Sequence, residues 1–328
     1  MSQHATINMQ IIEGLREFHI EGESAVAIGK FDGIHLGHRQ LIRELLAQKK
    51  NGRRAVIFTF DPEPASFFSG KIIPGLSTRE EKRKLFAESG IDILVEYPLT
   101  QETAKMEPEK FISDILVGML HAVFIAAGTD VSYGNAGRGD YRLLQRLSTQ
   151  YRYEVQLIGK VSINRREISS TYVRAEVASG HMEMAEKLLG MPYCVSGIIE
   201  HGRHLGHTIG IPTINLIPPD NKLLPPNGVY YSLVKVEGKT YRGMTNIGCK
   251  PTVTDEGKIG VETYLYDFSG DIYGHYAEVF LLAYRRTEKH FKTVAELQAQ
   301  MEKDVADGTL FHQEYHKNTL QNTDAVIK

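Results

Sequence analysis

Apolar residues recur along this chain with two different rhythms, and the rhythm changes once. Between about residues 25 and 190, short β-rich runs alternate with helical patterns. The runs are AVAIGKF (25–31), RAVIFTF (54–60), IDILVEY (91–97), AVFIAAG (122–128) and YEVQLIG (153–159). Between them apolar residues fall at spacings of three and four, as in Leu41, Ile42, Leu45 and Leu46, then Phe111, Ile115, Leu116 and Leu120. Nearly continuous apolar strands separated by helices predict a parallel sheet covered on both faces. Right-handed crossovers make that sheet doubly wound, with ligands beyond the carboxyl ends of its strands.

After Met191-Pro192 the candidate strands follow one another without helices: 193–202, 228–238, 239–248, 261–268 and 276–286. Turn signals at Glu237-Gly238-Lys239 and Ser269-Gly270-Asp271 divide them, and one helical pattern, TVAELQAQMEKDVADG, comes last. This predicts a small antiparallel β-barrel closed by a C-terminal helix. A chain of 328 residues accommodates two cores. The boundary is expected between 180 and 192, giving domains 1–186 and 187–328.

A formal net charge of -2 offers no basic footprint for nucleic acid. The N-terminus has no basic region leading into an apolar stretch, and no run reaches membrane-spanning length, so a cytoplasmic setting is expected. Cys194 and Cys249 form no C-x-x-C pattern and read as core residues. Homo-oligomerisation is left open.

The stretch 29-GKFDGIHLGHRQL-41 follows the first run and leads into a helical pattern. A strand, a tight turn and a helix aim backbone N–H groups and a positive dipole end at an anion. Gly33 and Gly37 permit close approach, and the imidazoles of His35 and His38 project from the same corner. Taken alone, the pair could equally be two solvated loop histidines; no further ligand at suitable spacing supports a metal there. A second polar cluster, 168-ISSTYVR-174, opens another helix: Ser169, Ser170 and Thr171 could cap it or hold triphosphate oxygens, with Arg174 as a fixed positive charge.

In the second half, 197-GIIEHGRHLGHTIGIPTINL-216 is rich in glycine and histidine. His201, His204 and His207 are regularly spaced, but the glycines favour a phosphate-covering loop over a metal site. Thr213 and Asn215 lie on one face of an extended segment, where a hydroxyl and an amide oxygen could share one Mg²⁺ with ATP phosphates. Glu262 sits in a strand flanked by aromatic residues, either as a solvated carboxylate or as a general base. Gly238-Lys239-Thr240 imitates the end of a P-loop, but the first glycine position holds Leu233, and the segment reads as a turn.

The ordered set GKFDGIHLGH, FDPEP, GTDVSYG, ISSTYVR, GIPTIN, NIGCKPT and VETYLYDFSGDIYG resembles prokaryotic bifunctional riboflavin kinase/FAD synthetases, over roughly residues 15 to 315. The resemblance implies an N-terminal nucleotidyltransferase (Rossmann-like) domain that transfers AMP from ATP to FMN, releasing pyrophosphate. It also implies a C-terminal riboflavin kinase that makes FMN. His35 and His38 would neutralise charge on the α-phosphate. Gly29, Phe31, Asp32, Gly37, Asp130, Ser169, Ser170, Thr171 and Arg174 would serve the nucleotide, and Phe60 and Pro62 the flavin. In the kinase half, Gly206, His207 and Gly210 would bind nucleotide, Thr213 and Asn215 Mg²⁺, Arg286 and Glu288 flavin, and Glu262 would be the base. The implied partners are riboflavin, FMN, FAD and ATP.

Four positions depart from the family pattern. Glu63 stands for histidine, Val131 for phenylalanine, His207 for arginine and Thr287 for proline. A histidine, mostly neutral at pH 7, is a weaker phosphate partner than arginine. Two alternatives therefore stay open: a chain keeping one activity, foremost FMN adenylyltransferase, or a non-catalytic flavin-binding regulator.

Overall fold

The computed structural model describes residues 9–201, 213–249 and 259–326, with side chains to Lys317 except that of Cys249. Contacts divide the chain into two units, up to Val173 and from Arg174 onward. The division falls inside helix α6 (Ser170–Ala178). Helix α7 (Met182–Leu189), which the sequence reading split between the domains, belongs to the second unit; there the Tyr315 hydroxyl donates to Glu186 at 2.8 Å.

The first unit is a parallel six-stranded sheet in the order β1-β4-β3-β2-β5-β6. Its strands are β1 (Gln10–Glu13), β2 (Ser24–Ile28), β3 (Arg54–Asp61), β4 (Ile93–Pro98), β5 (Ala122–Gly128) and β6 (Glu154–Ile158). The chain winds outward from β2 through β3 to β4, then restarts on the other side with β5. The switch point therefore lies between β2 and β5, where such sheets open a crevice. Both faces are covered. One layer centres on Val26, Phe58, Val95 and Ile125, the other on Ala27, Phe31, Ile57 and Phe124. Helices α1 (Leu36–Gln48), α2 (Pro64–Ser69), α3 (Arg79–Glu88), α4 (Pro108–Lys110) and α5 (Tyr141–Tyr151) connect the strands. Beyond α4 the coil widens through Phe111–Met119, with the Leu120 N–H reaching the Ile115 carbonyl at 2.9 Å. A short hairpin, β7 (Ser162–Ile163) with β8 (Arg166–Glu167), precedes α6.

The second unit is an antiparallel sheet in the order β10-β13-β12-β11-β14-β9. It comprises β9 (Tyr193–Ile198), β10 (Thr213–Leu216), β11 (Gly228–Val236), β12 (Lys239–Cys249), β13 (Ile259–Leu265) and β14 (Tyr276–Arg286). It is a curled sheet closed by helix α8 (Val294–Val326), which packs Met301 and Val305 against Val229, Met244 and Tyr266. On its other face the hydroxyls of Ser232, Thr245 and Thr263 form a buried relay at 2.7 and 2.8 Å, so three polar groups satisfy one another away from water.

Helix α8 runs past Gly308, where the sequence pattern stops. Gly308 is tolerated in mid-helix because a Cβ there would overlap the Tyr266 hydroxyl and come within 2.8 Å of the Tyr231 ring. Two aromatic residues thus occupy the space that a side chain would need.

Candidate active sites

In the first unit the glycine corner leaves β2 with the Gly29 N–H bound to the Phe58 carbonyl at 3.1 Å, which fixes it beside β3. Phe31 and Ile34 have positive φ, 51° and 41°, unusual for non-glycine residues and held here by full burial of both side chains. The Phe31 ring supports the site from beneath: it packs on His38 at 5.0 Å and on Phe86 at 5.5 Å.

His35 caps α1, its Nδ1 accepting the His38 N–H at 3.4 Å, and the two imidazoles stack at 3.8 Å. A Cβ at position 37 would lie 3.3 Å from the His35 ring, so Gly37 admits that stack. Burial lowers the His35 pKa to about 4, against a smaller opposing pull from Asp130. Burial, then the neighbouring His35, pushes His38 well down as well. Burial thus keeps both imidazoles neutral at pH 7. With Nδ1 of His35 accepting, its proton sits on Nε2.

Asp32 is a structural hub. Its Oδ1 accepts the Leu76 N–H at 2.7 Å and its carbonyl accepts the Ser170 hydroxyl at 2.9 Å. The second bond ties α6 to the glycine corner. Ser169 accepts the Tyr172 N–H at 3.2 Å and so caps α6, while Thr171 is exposed. Asp130 follows β5 and lies 3.9 Å from Lys160, which also pairs with Glu167 at 2.9 Å. Arg174 is one turn into α6, beyond the division between the units.

Phe60, the penultimate residue of β3, lies in an aromatic cluster with Phe58, Tyr97 and Phe111. Pro62 follows the strand. The Glu63 carbonyl accepts the Phe67 N–H of α2 at 3.0 Å, while its side chain caps nothing and pairs with Lys82 at 2.6 Å.

In the second unit, strand register assembles a row. Asn215 pairs with Glu262, Glu262 with Asn246, Asn246 with Val229, and Val229 with Arg286. Directly opposed residues share a face, so residues far apart in sequence line up across five strands. Thr213, two residues from Asn215 on that face, donates its hydroxyl to Glu262 Oε1 at 2.5 Å. Asn246 donates to Glu288 Oε1 at 3.2 Å, which brings Glu288 onto the row.

Arg286, at the end of the row, is engaged by helix α8. Its guanidinium makes two bonds, 3.0 and 2.6 Å, to Asp304 of α8. Asp304 is itself buried. This pair anchors helix α8 to the sheet through Arg286.

Asn246 was missed as a site residue by sequence reasoning; its only signal was membership in NIGCKPT. Gly206, His207 and Gly210 lie outside the described residues, as do His204 and most of its loop. His201 stacks on Tyr273 at 3.9 Å. Among the described residues no cluster of three His, Cys, Asp or Glu side chains could hold a metal ion, and no helix is long and apolar enough to cross a membrane.

Comparison with known proteins agrees with this two-part anatomy. Residues 18–172 match the FAD synthetase family and residues 189–311 the riboflavin kinase family. The bifunctional riboflavin kinase/FMN adenylyltransferase of Listeria monocytogenes is 36% identical, over 87% of this chain and 91% of its own. The Escherichia coli K12 protein of the same name is 34% identical, over 90% and 96%. A crystal structure of a Streptococcus pneumoniae chain named a macrolide-efflux protein superposes with a TM-score of 0.80 at 28% identity, covering 91% of this chain and 98% of that one. With both halves matched in order and the relatives spanned almost end to end, the chain belongs to the bifunctional riboflavin kinase/FMN adenylyltransferase family.

Proposed function

We propose that the domain within residues 187–328 phosphorylates riboflavin with ATP and that the domain within residues 1–186 adenylylates the resulting FMN to FAD, in the cytoplasm. The observation that carries this reading is the Thr213–Glu262–Asn215 row in a unit separate from the stacked His35–His38 corner. Each is a phosphate-handling constellation on its own fold.

In the kinase, Glu262 accepts the proton of the ribityl 5′-hydroxyl as its oxygen attacks the γ-phosphorus of ATP, the bond to the β-phosphate breaks and ADP leaves. Thr213 holds that carboxylate in place, and Asn246 orients Glu288 beside it. A hydroxyl, an amide and a carboxylate are hard oxygen donors that suit Mg²⁺, and Thr213 and Asn215 would hold it. When bound, Mg²⁺ would offset charge on the ATP phosphates.

In the adenylyltransferase, the FMN phosphate oxygen attacks the α-phosphorus of ATP and pyrophosphate leaves. His35, through Nε2–H, donates to the α-phosphate, and His38 lies against the same corner. Asp130 and the α6 start at Ser169, Ser170 and Thr171 position the nucleotide, and Arg174 supplies a fixed charge. Such transfers depend on positioning and charge more than on covalent help.

The test is a time course with riboflavin, ATP and Mg²⁺, with the flavins separated chromatographically. FMN should appear first and FAD after it. His35→Ala should stop at FMN, whereas Glu262→Gln should fail on riboflavin yet convert supplied FMN. Absence of both products defeats the reading. FAD from FMN but none from riboflavin leaves a single activity.

A further inference from the structure

Helix α3 carries Arg79, Lys82 and Arg83 at spacings of three and four, on one helical face. Each meets a carboxylate. Arg79 and Arg83 grip Glu96, a buried residue of β4 in the rigid sheet. Arg79 also reaches Asp61 at 3.3 Å, and Lys82 reaches Glu63 at 2.6 Å. One helix face therefore joins a fixed anion in the sheet to Asp61 at the end of β3 and to Glu63 in the turn after it.

Two features mark the Lys82–Glu63 contact as more than surface pairing. Lysine is almost never buried without a partner, yet the Lys82 side chain is only 11% exposed, and that of Glu63 24%. The turn also leaves the carboxyl end of β3, the strand beside the glycine corner, where a sheet of this kind receives its ligands. The approach to α3 holds that corner too, through the Leu76 N–H on Asp32. The segment from Leu76 to Arg83 thus braces both walls of the first site.

We propose that Glu63 and Lys82 are a positioning pair that holds the Phe60–Glu63 turn ready for the flavin of the adenylyl-transfer step. The inference rests on the reading of the first unit as the FMN adenylyltransferase. A turn already anchored by ion pairs need not be ordered when substrate binds, and that saving appears in affinity. Releasing it should raise KM and leave the chemical step nearly untouched.

The experiment measures initial rates of FAD formation from FMN at saturating ATP with the full-length protein, for Lys82→Met, Glu63→Gln, the exchange Glu63→Lys/Lys82→Glu, and His35→Ala. Lys82→Met should raise KM for FMN by about tenfold with kcat changed less than about threefold, while riboflavin phosphorylation is unchanged. The exchange should recover most of the loss, and the rise in KM with kcat nearly kept is what a role in stability alone would not give. If Lys82→Met does not fold, Glu63→Gln carries the test, with KM raised about threefold or more. An unchanged KM in the folded single variants, or an exchange no better than Lys82→Met, overturns the pair. Full adenylyl transfer by His35→Ala would instead overturn the underlying site, and is distinguishable because it leaves the Lys82 effect to be measured on its own.

Discussion

Acidification should weaken this protein through the stacked imidazoles of its first unit. In the folded chain burial lowers the pKa of His35 from 6.5 to about 4. In the unfolded chain the ring is solvated and titrates near its ordinary value, so the unfolded state takes up a proton that the folded state refuses. The stabilisation is complete above the unfolded value and is lost as the pH falls toward the folded one. For His35 alone, the two titration curves put the loss at ~2 kcal/mol near pH 5 and ~3 kcal/mol near pH 4, relative to neutral pH. His38, displaced in the same direction, steepens the slope. Urea unfolding of the native protein and of His35→Asn at about pH 8, pH 6 and pH 5 measures the effect, since asparagine can still cap α1. The native protein should lose ~2 kcal/mol more than the variant between the extremes. Equal losses would mean that His35 is not kept neutral by burial, and the reasoning would fail.

Three further outcomes are expected. A polyphosphate against these rings favours their protonated forms, so ATP binding near about pH 6 should take up protons, and the calorimetric enthalpy should vary with the ionisation enthalpy of the buffer; no variation would place the phosphates elsewhere. Gly308→Ala gains ~1 kcal/mol of helix propensity but drives a methyl group into Tyr266 and Tyr231, so a net loss of ~1–2 kcal/mol should appear in denaturant midpoints. Glu96→Gln removes the anion shared by Arg79 and Arg83, and should cost ~2–3 kcal/mol in the same measurement; a neutral effect would show that the two arginines find other partners.

Much of the architecture was legible because periodicity reports burial directly. The five parallel strands of the alternating region and the consecutive strands after Met191 follow from runs whose apolar spacing matches the faces they bury. Strand β1 escaped notice: it is a four-residue edge strand in which Ile12 alone is buried, too little for a pattern to register. The end of α8 was misjudged at Gly308, because a glycine reads as a stop when the aromatic residues filling its space come from distant strands.

The sites were legible where a motif is contiguous, as in the glycine corner. They were obscure where register or a long-range pair makes them. Asn246 enters its row only through pairing with Glu262, and Lys82 meets Glu63 across two elements. Nothing local announces either. The charge state of His35 was likewise hidden, since it depends on how deeply the fold buries the ring.

The polar row of the second unit has a consequence for how its sequence can drift. Because Asn215, Glu262 and Asn246 meet through backbone pairing, the ladder serves as the ruler that spaces the reacting groups. A point change on that face alters one group and leaves the spacing intact. Loss of a single residue within β13 would turn Glu262 inward and present Thr263 in its place, so this half should tolerate lengthened loops far better than any slip along its strands.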